Sequence, residues 1–171
     1  MEIPEQWSDD IFQPNGRLRP ELLNKAAAHA LREAMRLARE TRWESIRSPH
    51  VFMGLLVDPD ASVRNWGERL GADLRFLLTQ FQELFHLEEG VADAPLCLHR
   101  EFLSDNVIRL LREAAQRAAE HRRRSITPMD MLISLLTAPN SIVAECFERI
   151  GVTAAKLTEL AVMAEHHAGQ A

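Results

Sequence analysis

Leu31-Arg32-Glu33-Ala34 recurs eighty residues later as Leu111-Arg112-Glu113-Ala114, and the register holds without a gap beyond it. Ser45-Ile46 falls on Ser125-Ile126, Leu55-Leu56 on Leu135-Leu136, Pro59 on Pro139, Val63 on Val143, Glu68-Arg69 on Glu148-Arg149, Gly71 on Gly151 and Leu77 on Leu157. From Leu31 to Leu77, 17 of 47 positions are identical to those 80 residues on. A gapless match of that length marks a duplication, and each copy is too short to bury its own apolar face. The expectation is one pseudo-twofold domain whose halves pack on each other, with little room for an inserted active site.

Both copies read as helices. Leu23, Ala27, Ala30, Leu31, Ala34 and Ala38 recur at helical spacing, which predicts a first helix from about Pro20 to Glu40 with a small-residue face. Ser48-Pro49 reads as an N-cap and first-turn pair opening a second helix through Val57, and Thr127-Pro128 gives the same signal one register position earlier. Third helices are expected over 60–70 and 140–150, closed by Gly71 and Gly151, and fourth helices run from caps at Asp73 and Thr153 to about Phe85 and His166. There is no tyrosine and no sustained period-2 alternation. The predicted class is therefore all-α, an eight-helix duplicate of a four-helix repeat. The domain should span 20–166, with repeats at about 20–85 and 104–166, a linker at 87–103, an extension at 1–19 and a tail at 167–171. In the extension, Trp7, Ile11 and Phe12 either pack onto the helical body or form a short docking motif for another protein, which makes Trp7 and Phe12 candidate binding residues.

Charge and motifs narrow the function. The net charge is −5, and Arg122-Arg123-Arg124 is the one basic run. It falls at a predicted helix C-terminus, where cations complement the macrodipole, so no nucleic-acid partner is expected. No stretch approaches the roughly 20 apolar residues of a membrane span, and no signal peptide opens the chain, so the reading is cytoplasmic, with no membrane partner. Cys97 and Cys146 lack metal-type spacing and are expected as reduced thiols. No phosphate loop, His-Glu-x-x-His pair or nucleophile elbow occurs, and His166-His167 sits at a frayed end. No catalytic residue, cofactor or metal site is predicted.

The segment Ile46-Arg47-Ser48-Pro49-His50-Val51-Phe52-Met53-Gly54-Leu55-Leu56, together with Val63 to Gly71, resembles the signature of the Clp N-terminal (Clp repeat) domain. The second copy, Ile126 to Leu136 and Val143 to Gly151, matches as well, with Asp130 where His50 stands. The resemblance covers roughly 20–165. It implies a non-catalytic protein-binding module that captures substrates or adaptors for a Clp-type AAA+ unfoldase. No AAA+ module occurs in these 171 residues, which suits a stand-alone protein or a fragment. Two alternatives stay open: a stand-alone regulator competing with unfoldase N-domains for adaptors or clients, and a small-molecule sensor or unrecognised enzyme. In the branch of the family that reads phosphorylated arginine, each repeat carries a glutamate and a threonine at set positions. Here those positions are Pro49 and Met129, and Asn24 and Ser104, respectively. Neither Pro49 nor Met129 offers the carboxylate a guanidinium needs, so phosphoarginine reading is disfavoured. These four residues are the candidate protein-binding positions.

Overall fold

The computed structural model describes residues 11–85 and 96–169. Its first half comprises α1 (Lys25–Glu40), α2 (Ser48–Val57), α3 (Ala61–Leu70) and α4 (Leu74–Leu84). The second comprises α5 (Asp105–Glu120), α6 (Pro128–Thr137), α7 (Ile142–Glu148) and α8 (Ala154–Gly169), in the same order. A short 3-10 turn precedes each first helix, at Pro20–Leu22 and Arg100–Phe102. The repeat thus reaches upstream into the segment read as linker.

Capping chemistry moves three boundaries. Leu23 is extended, and the Asn24 side chain accepts from the Ala27 N–H at 2.8 Å, so α1 starts at Lys25 and not at Pro20. The cap of α2 is Arg47, not Ser48, which lies inside the helix; Arg47 and Thr127 then fall in the same register, and the apparent one-residue offset disappears. In α7, Asn140 takes a left-handed φ of 57° and the Ser141 hydroxyl accepts from the Ala144 N–H, so the helix begins at Ile142 and not at Asn140. Gly71 and Gly151 hold φ of 74° and 88° after α3 and α7, a conformation glycine adopts without a Cβ penalty.

The core is built on α2 and α6. Residues 49–56 and 128–136 are buried without interruption, which is how a helix apolar on all faces is accommodated. Leu55, Leu56, Leu135 and Leu136 are 2% exposed or less. A Cβ on Gly54 would stand 2.2 Å from the Ala30 carbonyl oxygen, so α1 rests on α2 at backbone contact. Phe52, Trp66, Phe81 and Phe147 meet ring to ring across the halves, and the Trp66 indole N–H donates to the Leu157 carbonyl at 3.1 Å.

The halves also exchange backbone hydrogen bonds. Ile126 N–H donates to Leu22 O and Asn24 N–H to Ile126 O; in the mirror copy, Ile46 N–H donates to Phe102 O and Ser104 N–H to Ile46 O. Each pair forms an isolated parallel bridge, Leu23 with Ile126 and Ile46 with Leu103. The segment before each first helix is thereby latched to the α-α corner of the opposite half.

Residues 11–19 belong to this body. Leu18 N–H donates to Leu98 O, Ile11 and Phe12 are buried, and the Arg100 guanidinium lies 4.7 Å from the centre of the Phe12 ring. Phe12 is therefore a core residue and not a free docking residue; Trp7 lies outside the described residues. Cys97 and Cys146 are unpaired. The symmetry is broken in the packing of the third helices on the fourth. α3 packs along α8, whereas its counterpart, α7 on α4, makes no comparable contact. Leu84 is accordingly 58% exposed where its equivalent, Ala164, is fully buried.

Candidate functional site

A partly open cavity of about 380 Å³ lies at the seam of the halves, walled by the α1–α2 corner, the first turns of α5 and α7, and Phe85. Pro49 and Ser104 both line it, from opposite halves. Asn24 and Met129 line the pseudo-equivalent depression, which is wider, at about 660 Å³, and shallower. The four candidate positions are thus brought together in pairs. Two of them also do structural work: Asn24 and Ser104 cap α1 and α5 with their side-chain oxygens. Met129 is 1% exposed and contributes to the core beneath its depression.

Local chemistry separates the two sites. In the first half, the α1–α2 corner brings Trp43, His50 and Phe85 together. His50 Nδ1 accepts the Arg47 N–H at 2.9 Å, which leaves the ring proton on Nε2. That Nε2 is buried and has no hydrogen-bond partner among the described residues. Trp43 packs against the imidazole at 5.3 Å and donates its indole N–H to the Phe85 carbonyl. Burial, reinforced by the Arg47 charge, pushes the imidazole down to about 4, so His50 is neutral at pH 7.

Eighty residues on, Arg123, Asp130 and Glu165 stand in the places of Trp43, His50 and Phe85, and Arg117 in that of Leu37. Asp130 is fully buried and accepts from Arg117 and Arg123, from the Thr127 N–H at 2.9 Å and from the Thr127 hydroxyl at 3.1 Å. Arg117 reaches on to Glu165 with two bonds of 2.7 Å. Burial works to raise the Asp130 carboxyl, and the bonds from Arg123, Thr127 and Arg117 outweigh it, holding the group below the ordinary carboxylate range. Sequence reasoning does not find this quartet, because its members lie on separate elements. An aspartate inside the otherwise apolar run of α6 is the signal that points to it.

Among the described residues no group of three or more His, Cys, Asp or Glu side chains gathers as metal ligands, and no helix is long and apolar enough to cross a membrane.

Residues 102–168 match the family described as the Clp repeat (R) N-terminal domain. The fold is that of solved Clp N-domains. The N-terminal domain of ClpD from Arabidopsis thaliana superposes with a TM-score of 0.62 at 17% identity, over 84% of this chain and 94% of that one. The Hsp104 N-terminal domain from Candida albicans gives 0.64 at 14% identity, over 82% and 89%. A ClpV N-domain solved in complex with a VipB peptide gives 0.62 at 21% identity, over 84% and 86%. No curated protein matches by sequence. Residues 102–168 therefore carry the Clp repeat signature, and the chain as a whole has the fold of Clp N-terminal domains.

Proposed function

We propose that this domain is a non-catalytic protein-binding module that presents substrate or adaptor proteins to a Clp-type AAA+ unfoldase in the cytoplasm. The observation that carries the reading is the cavity at the seam of the halves, with apolar walls from Trp43, Phe85 and Ile142 and a polar rim, the form a docking pocket for a peptide side chain takes. The likeness to a ClpV N-domain solved with a VipB peptide supports it. Ile142 is 44% exposed, so Ile142→Arg should leave the fold intact while blocking the pocket. A tagged chain is expected to retain an AAA+ ATPase or its adaptor, identified by mass spectrometry, and the Ile142→Arg chain to lose it. Retention by neither chain, or equally by both, would count against the reading. Matched peptides with and without phosphoarginine should bind within tenfold of each other, about 1.4 kcal/mol, since Pro49 and Met129 provide no carboxylate.

A further inference from the structure

Hydrogen-bond donors gather at the first-half cavity without acceptors to match them. His50, 1% exposed, lines it with an unpartnered Nε2–H. The Arg109 and Asn106 side chains line it as well and make no hydrogen bond or ion pair among the described residues. Arg47, on the rim, lies 4.9 Å over the Trp43 ring and bonds Ser45, but meets no carboxylate among the described residues. The N-terminal turns of α2 and α5 both open here, through Ser48, Pro49 and Ser104, and add their positive dipole ends. Among the described residues Glu145 is the one carboxylate in the lining, and Arg149 stands 3.5 Å from it. Asp105, on the first turn of α5, lines the neighbouring groove instead. The second half meets the same demand internally, because Asp130 and Glu165 bring their own carboxylates to Arg117 and Arg123.

We infer that the first-half cavity takes the carboxylate of a glutamate or aspartate side chain from a protein partner, with His50 Nε2–H donating from its floor and Arg47 and Arg109 pairing from its rim. The assignment rests on the protein-binding reading above and gives it a ligand chemistry. A side chain suits the site better than a free anion: Trp43, Pro49, Phe85 and Ile142 form apolar walls that cover its methylenes and a neighbouring apolar residue. A charge-assisted bond to an otherwise unsatisfied buried donor is worth more than an exposed one.

The test uses the full chain and three fluorescent amphipathic peptides of leucine and alanine, differing only in a central Glu, Gln or Lys. The Glu peptide is expected to bind at least tenfold more tightly than the Gln peptide, and the Lys peptide more weakly than either. Arg47 and Arg109 are both exposed, so the Arg47→Ala/Arg109→Ala chain should fold normally. It is expected to bind the Glu peptide no better than the Gln peptide. The His50 Hε2 proton should shift downfield in NMR when the Glu peptide binds, and not with Gln. Equal affinities for Glu and Gln would overturn the carboxylate assignment and leave protein binding standing. Binding of none of the three would remove both. Displacement of the Glu peptide by an equal concentration of inorganic phosphate would overturn the side-chain assignment in favour of a simple anion site.

Discussion

The corner between α1 and α2 and the corner between α5 and α6 share a backbone and differ in everything that fills it. One holds a neutral imidazole edged by a tryptophan; the other holds a carboxylate locked by two guanidiniums. In both, the third residue of the helix reaches back to accept the cap residue's N–H, from His50 in one and Asp130 in the other. The shared requirement is an acceptor at that place, and nitrogen or oxygen serves equally. The consequences of the choice diverge. A buried carboxylate must be neutralised, which recruits Arg117 and Arg123 and seals that site, whereas the imidazole needs no counter-charge and leaves its site open.

The largest expected effect breaks the ionic corner. Asp130→Ala leaves two partly buried guanidiniums short of a partner and should cost about 3–5 kcal/mol in chemical denaturation. Writing the first half's residues into the second, as Arg117→Leu, Arg123→Trp, Asp130→His and Glu165→Phe together, should return stability to within about 2 kcal/mol of the natural chain. A quadruple variant as unstable as Asp130→Ala would mean that the two frames are not interchangeable.

Acid should divide the corners next. Native His50 stays neutral down to about 4, while the unfolded chain takes up that proton below 6.5. Between those values the unfolded state binds more protons, so stability falls as pH falls, by roughly 3 kcal/mol in total. Asp130 has its folded value below 3.8, so its contribution is complete above 3.8 and drains only at lower pH. Urea melts from pH 7 to pH 3 should therefore show two stages. His50→Gln, which keeps an acceptor for the Arg47 N–H, should erase the upper stage alone.

Cap chemistry gives a smaller contrast. Thr127→Ala removes the hydroxyl that accepts from the Asp130 N–H and should cost about 1 kcal/mol, whereas Arg47→Thr supplies the first half with a capping oxygen it lacks and should gain about as much. Thermal melts at pH 7 would register both. The least effect belongs to Arg36→Gln, which writes Gln116 into the first half at an exposed i,i+4 pair with Glu40. It should move stability by less than about 0.5 kcal/mol.

Periodicity carries most of the architecture. The helix order, the glycine stops and the buried leucine pairs are legible from spacing, because they depend on backbone geometry that a residue type announces locally. Ser48 misleads because an N-cap serine before proline is a strong local signal, while the helix start is set by the corner's pairing with the opposite half. Phe12 reads two ways until the contact with Arg100 places it in the core. Pro49 and Ser104 stand apart in the sequence; that they share one cavity depends on the packing of the halves, for which no sequence interval codes. The looser packing of α7 on α4 than of α3 on α8 is likewise a difference between copies whose patterns look alike.

The crossed latches impose an order on synthesis. Ile46 can be paired only after Phe102 and Ser104 exist, and the turn before α1 waits for Ile126. A ribosome adding about 5–20 residues per second therefore exposes the first half for several seconds with its corner unlatched and Ile46 uncovered. Neither half can close first, so the domain commits to its native topology only when the second corner leaves the exit tunnel.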